Sequence, residues 1–557
     1  MKPIRAWLPA FTVILLCSWP LLIFRMDHYL PEVDNDEVSY FLQVKTFLYH
    51  GLRGGYYFFN DRVPASPIHF DVHGPGIAIV YGSVARVIGW RNYSPYLANL
   101  LFLIPGWLLL QFATRHRPAN QIAVSLFVLL HGYFFLFLPS MMEESFHISV
   151  AIMIVALWSL ALDRRSGTAW VALWLVVAIA AVVRMTWGLT VPVLAFSMLR
   201  QRYGTADLFT TKNSMLAAAA SAFGVVCTLA AVALWRSWAL PPLSIGGGET
   251  MLRFNATAAW PNFVAFLTLR SLTVFHSWDV YFRVSLWILL MGFVVLVVRG
   301  RPANREAAAY SLGLLAPPVA AQILFYVIDG WRDFRVLSAY HALAGLWFLA
   351  RAELPAWGGS RPIIRYAGAV AAGLLIVFNF GWAFLGMKER YYNNWSRRAV
   401  SRDAYGRVLF RSIGSGLQIR DGDDAFCKTI YVWQRTFNDE RFVHLPLGFG
   451  VSALQETEDR ALPALKGKYV LIGSEYVNTR SGLMAMGINP DDHSAISGAE
   501  LAGRIQQGRR SGWADDDPAN PIPDWKGMVK ASKDWRLEEE QDEYTLFRST
   551  THCLDGP

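Results

Sequence analysis

Apolar runs recur along residues 1–386, and the basic residues between them fall in every second gap. That pattern constrains the fold more than any motif does. A segment crossing a bilayer must satisfy its own backbone hydrogen bonds, and cytoplasmic gaps collect Lys and Arg. The runs are 7–25, 95–113, 121–139, 146–162, 168–183, 187–200, 214–240, 284–299, 307–328, 336–352 and 364–386. Those near 16 residues are short for a span and need bilayer thinning or snorkelling at their ends. The basic gaps hold Arg115 and Arg117, Arg164 and Arg165, Arg200, Arg202 and Lys212, Arg299, Arg301 and Arg305, and Arg351, Arg361 and Arg365. The sequence therefore predicts a polytopic α-helical membrane protein of about 11 crossings, with a cytoplasmic N-terminus and everything after residue 387 outside. The first run leads into Arg25-Met26-Asp27-His28 without a small-residue cleavage site, so it is read as a retained helix and not as a signal peptide.

Composition agrees: 557 residues, 54% hydrophobic with a mean hydropathy of +0.29, exceed what one soluble core would bury. The net charge of +9 does not imply nucleic acid, because the Lys and Arg residues sit mostly between apolar runs. After Lys388-Glu389-Arg390 the apolar runs stop. Residues 1–386 are thus expected to form the membrane domain and 387–557 a soluble extracytoplasmic α/β domain, with β-rich stretches at Thr429–Trp433, Lys468–Ile472 and Tyr544–Phe547. Of the four cysteines, Cys17 and Cys227 lie in apolar segments, where a thiol is usually a small hydrophobe. Cys427 and Cys553 lie in polar sequence that this topology places in an oxidising compartment, so a Cys427–Cys553 disulfide and two free thiols are both open.

The gaps of opposite parity are 26–94, 140–145, 184–186, 241–283 and 329–335. They gather Asp34, Asp36, Glu37, His73, Glu143, Glu144, Arg184 and the segment Trp331-Arg332-Asp333-Phe334-Arg335 on one predicted face. Several have a plain structural alternative. Asp36 and Glu37 precede an amphipathic stretch, Phe41 to Tyr49, whose helix dipole favours acids at its start. His73-Gly74-Pro75-Gly76 can simply shape the turn into a helix from Ile77 to Ile88. Glu143 and Glu144 read as a solvated loop, and Arg184 as a snorkelling side chain. Against that, ionisable groups at membrane depth are costly and mark function by default. Trp260, Trp278 and Tyr281 suit membrane anchoring better than sugar stacking, and Gly246-Gly247-Gly248 does not suit a nucleotide phosphate loop.

The order Asp36-Glu37-Val38-Ser39-Tyr40, then Gly51, then His73-Gly74-Pro75-Gly76, resembles the first extracytoplasmic loop of the GT-C glycosyltransferases. Within them it is most similar to the family of protein O-mannosyltransferases and the lipid A aminoarabinose transferase. The resemblance covers the topology of residues 1–386. It implies a bacterial inner-membrane enzyme that moves a hexosyl or pentosyl group, with inversion, from a polyprenyl-phosphate donor held among membrane lipids to an extracytoplasmic glycan, lipid or protein. Asp36 stands at the family's catalytic aspartate, with Asp34 and Glu37 as tuning or acceptor contacts. His73 stands where the family commonly has a lysine, and with Arg184 and Arg335 it would bind the donor phosphate. Glu143 or Glu144 would orient the acceptor or hold a divalent cation, magnesium or manganese; metal dependence is left open by the resemblance. Two other classes remain, a transporter or flippase of lipid-linked glycans and a glycan ligase or polymerase.

Overall fold

The computed structural model describes residues 75–91, 93–205, 208–238, 256–267, 274–325 and 334–354. It also describes 11, 13–18, 40, 41, 43, 44, 47, 48, 51–53, 57, 58, 377, 381, 429–433, 450–454, 469–473, 529–541 and 544–551. Backbone contacts divide the chain into two units. The first comprises Met1–Tyr29, Ile88–Ser237 and Gly246–Asn393, and the second Leu30–Val87, Trp238–Ile245 and Asn394–Pro557.

The first unit is helical and is that of an integral membrane protein. Its helices include α2 (Ser94–Thr114), α3 (Pro118–Leu130), α4 (Gly132–Phe137), α5 (Glu143–Arg164), α6 (Gly167–Val183) and α7 (Val191–Tyr203). Further along are α8 (Thr211–Trp238), α9 (Ala256–Leu267), α10 (Val274–Arg299), α11 (Pro302–Phe325) and α12 (Ser338–Arg351); α1 (Gly76–Ile88) belongs almost wholly to the second unit. Among the described residues five helices are long and apolar enough to cross a membrane: Ser94–Thr114, Glu143–Arg164, Thr211–Ala231, Tyr281–Arg299 and Pro302–Leu324. Proline in the first turn starts α2, α3 and α7, where its missing N–H costs nothing. The runs 7–25 and 364–386 lie largely outside the described residues.

Sequence hydropathy does not distinguish the central helix from the peripheral ones; packing does. The apolar stretch of α5 is 83% buried and that of α8 only 11%, so α5 is the axis of the unit and α8 an outer helix. Gly106 of α2 lets α5 approach closely, since a Cβ there would sit 3.3 Å from the Met153 backbone nitrogen. On the opposite side Trp158 of α5 stacks on Trp347 of α12, with ring centroids 3.4 Å apart, and donates from Nε1 to Ser197 Oγ at 2.8 Å.

The run 121–139 breaks at His131, whose extended backbone (φ −78°, ψ 100°) separates α3 from α4. At the break the Tyr281 hydroxyl donates to the freed Leu130 carbonyl at 2.7 Å, while the His131 side chain donates from Nε2 to the Ser338 carbonyl at 3.2 Å. Buried backbone groups freed by a break need such partners inside a membrane. The run 336–352 is shortened in the same way, a 3-10 turn at Phe334–Leu337 preceding α12.

Contacts fix which helix ends lie together. Arg164 at the end of α5 and Arg115 after α2 both stack on Phe112, at 4.9 and 3.8 Å. Arg351 meets Asp163 at 2.5 Å, and Arg200 meets Glu306 at 2.6 Å. The arginine-bearing ends of α2, α5, α7, α11 and α12 are thus held by contacts among themselves.

In the second unit, α1 matches the helix expected over 77–88. Residues 40, 41, 43, 44, 47 and 48 are helical, and Phe47 packs on α1 so closely that a Cβ at Gly82 would lie 2.2 Å from its ring. A six-stranded sheet contains β1 (Tyr57–Phe58), β2 (Thr429–Trp433), β3 (Gly450–Leu454), β4 (Tyr469–Gly473), β5 (Trp535–Gln541) and β6 (Tyr544–Ser549), in the order β1-β3-β2-β4-β6-β5. β1, β3, β2 and β4 are mutually parallel, and β6 runs antiparallel to β4 and β5. Strand β1 comes from the loop after the first apolar run, with Tyr57 in register with Val451.

Candidate functional site

Glu143 and Glu144 occupy the first turn of α5, where the helix dipole favours carboxylates. They are not a solvated loop: their side chains are 4% and 1% exposed. The turn before them is pinned by Asn99 of α2, whose Nδ2 donates to the carbonyls of Leu138 and Ser140, each at 2.8 Å.

Arg184 follows α6 in extended conformation and opens a 3-10 turn, Met185–Thr190. Its Nη2 lies 2.8 Å and its Nε 3.0 Å from Glu143 Oε2, and Nη2 is 3.6 Å from Glu144 Oε1. Nη1 donates to the Val336 carbonyl at 3.5 Å, which brings the 3-10 turn Phe334–Leu337 to the same place. That turn contains the backbone of Arg335.

His147, one helical turn after Glu143, completes the cluster. Trp187 Nε1 donates to His147 Nδ1 at 2.9 Å, and His147 Nε2 lies 3.3 Å from Glu143 Oε2. Indole N–H is a donor only, so Nδ1 carries a lone pair and the ring proton sits on Nε2, from which it donates to the carboxylate. The imidazole is therefore neutral, and among the described side chains the cluster holds two carboxylates against one guanidinium. Tyr340 closes the wall behind Trp187, its ring centroid 5.4 Å away, and donates to Thr186 Oγ1 at 2.6 Å.

Of the residues singled out in the sequence, the structure brings together Glu143, Glu144, Arg184 and the chain at Arg335. Asp34, Asp36, Glu37, His73, Cys427 and Cys553, and the side chain of Arg335, lie outside the described residues. Sequence reasoning missed His147, Trp187, Tyr340 and Asn99. The spacing Glu143-x-x-x-His147 was visible as a one-turn pair; the partner 40 residues on at Trp187 had no local signal. Among the described residues no three His, Cys, Asp or Glu side chains are grouped to hold a metal ion.

No protein-family model matches the chain, and no curated protein sequence matches it. In fold it is similar to ArnT from Cupriavidus metallidurans bound to undecaprenyl phosphate, at 13% identity and TM-score 0.48, covering 100% of this chain and 99% of that one. It is also similar to the archaeal oligosaccharyltransferase AglB from Archaeoglobus fulgidus in complex with an inhibitory peptide and a dolichol-phosphate. There the identity is 10% and the TM-score 0.49, with 88% of this chain and 72% of that one covered. Both names fall in the class that the first-loop motifs resemble. The likeness is one of fold.

Proposed function

We propose that the chain is a membrane glycosyltransferase that moves a sugar from a polyprenyl-phosphate donor to an acceptor on the extracytoplasmic face, with inversion. The observation that carries this reading is the buried cluster of Glu143, Glu144, Arg184 and His147 at the N-terminal end of α5. Groups so costly to bury at a membrane boundary are retained where they act on a ligand. The soluble residues 387–557 stand on the extracytoplasmic side in this proposal.

Transfer to a hydroxyl needs a base for the acceptor proton and donors for the departing phosphate. In the proposed mechanism Asp36 takes the proton, with Asp34 and Glu37 beside it in sequence, as the first-loop motif suggests. His73 and Arg335 serve the donor phosphate. Arg184, with Nη2 and Nε on Glu143 and Nη2 3.6 Å from Glu144, holds the two carboxylates in fixed rotamers beside its part on the donor phosphate, and Glu144 orients the acceptor. A reconstituted assay with a panel of polyprenyl-phosphate sugars tests the proposal. Asp36→Asn is expected to lower transfer by about 10²–10⁴-fold at unchanged thermal stability; undiminished transfer would remove Asp36 as base.

A second reading, a flippase or transporter of lipid-linked glycans, is favoured by the interruption at His131, since transporters place broken helices at their binding sites. Among the described residues no acid lies among the partners of that break. Absence of transfer from every donor, together with movement of a labelled lipid-linked glycan across liposomes, would establish it in place of the transferase.

A further inference from the structure

A cavity of about 800 Å³ opens at the arginine-rich end of the first unit, between the starts of α3 and α11 and the ends of α5 and α12. Trp347, Tyr310, Ala307, Ala352 and Asn120 are its buried lining, and Ile122, 43% exposed, brings an apolar side chain to it. Its charges fall into two groups. Arg351 is neutralised by Asp163 at 2.5 Å, and Glu306 is held by Arg200 through two bonds of 2.6 and 3.1 Å. Arg117 and Glu353 are not neutralised. The Arg117 guanidinium reaches only the Ala350 carbonyl, at 3.4 Å, and meets no carboxylate among the described residues. Glu353 has its backbone fastened to Asn304 at 2.7 and 3.4 Å, while its carboxylate has no partner among the described residues.

One uncommitted cation and one uncommitted anion therefore line the same cavity without pairing with each other. A ligand that answers both carries a phosphate for the guanidinium and an N–H-bearing ammonium for the carboxylate. The location at helix ends ringed by Arg115, Arg164 and Arg351, which stack on Phe112 and Trp347, is the depth of phospholipid headgroups. The apolar rim at Ile122 suits the attached chains. We infer that this cavity binds the phosphoethanolamine headgroup of a membrane phospholipid, phosphate on Arg117 and ammonium on Glu353.

The test uses the full chain, delipidated in detergent. Phosphatidylethanolamine, phosphatidylglycerol, phosphatidylcholine and soluble O-phosphoethanolamine are added separately, and binding is read by native mass spectrometry and thermal shift. Phosphatidylethanolamine is expected to be retained preferentially, because a quaternary ammonium cannot donate to Glu353 and a glycerol headgroup brings no cation. Arg117→Ala and Glu353→Gln are each expected to weaken that retention about tenfold. Ala303→Trp, which fills the cavity without altering either charge, is expected to do the same and serves if a charge variant does not fold. Equal retention of the other lipids, unchanged selectivity in the variants, or saturation by O-phosphoethanolamine alone would each overturn the inference, the last by making the occupant a soluble phosphate ester.

Discussion

Arg184 places two nitrogens on a single oxygen of Glu143, Nη2 at 2.8 Å and Nε at 3.0 Å from Oε2, and His147 adds a third donor at 3.3 Å. Three donors on one oxygen fix the carboxylate against the end of α6. The guanidinium also lies 3.6 Å from Glu144 Oε1, so its removal takes a counter-charge from both buried carboxylates. Arg184→Met is expected to cost about 3–5 kcal/mol, more than Glu143→Gln, whose amide oxygen still accepts. Denaturant titration in micelles checks the order, and the double variant should recover part of the loss.

Trp187 sets the protonation of His147 from the far side of the cluster. Trp187→Phe keeps an aromatic ring, a smaller one, but removes the only N–H that satisfies Nδ1 among the described residues, and is expected to cost about 1–3 kcal/mol. The same variant should lower the transfer rate, because His147 is then free to put its proton on the wrong nitrogen and leave Glu143 mispositioned. A stability loss with full transfer activity would confine Trp187 to packing.

Asn99 ties α2 to the turn that delivers the acid pair. Asn99→Ala leaves two buried carbonyls, those of Leu138 and Ser140, with one donor fewer each, and should destabilise by about 2–3 kcal/mol. Thermal melting of the variant beside Asn99→Asp, which keeps the shape and loses the donor, separates the hydrogen bonds from packing: both should melt early.

Gly345 on α12 has no room for a methyl group. A Cβ there would lie 2.3 Å from the Phe127 ring, which is itself stacked on His341 with centroids 5.4 Å apart and so cannot swing away. Gly345→Ala is expected to destabilise by about 1–3 kcal/mol despite the better helix propensity of alanine, and Phe127→Leu in the same chain should relieve it.

Much of the helical unit was legible in the sequence because spans are local objects. The run 95–113 appears as Ser94–Thr114 and the run 146–162 inside Glu143–Arg164, each marked by continuous apolar residues and charged or proline-bearing ends. The β stretch at Thr429–Trp433 was likewise readable from its own residues. The break at His131 was not, because nothing in the apolar run reveals that a Tyr281 hydroxyl stands ready to satisfy the Leu130 carbonyl, or a Ser338 carbonyl to accept from the His131 ring. Of the site, the sequence marked Glu143, Glu144 and Arg184 as charges near membrane boundaries but offered opposed roles for them, acceptor contact and phosphate ligand. Only their mutual distance turns them into one cluster.

The sequence by itself determined that this chain crosses a membrane and where its charges sit along the helices, since hydrophobicity and charge act through residues a few positions apart. The tertiary structure decided which helix is central, which acid Arg184 holds, which nitrogen of His147 keeps the proton, and that residues 57 and 58 pair with a strand beginning at Gly450. Those are contacts between segments distant in the chain, selected by packing and by the need to satisfy buried polar groups, and no local periodicity encodes them.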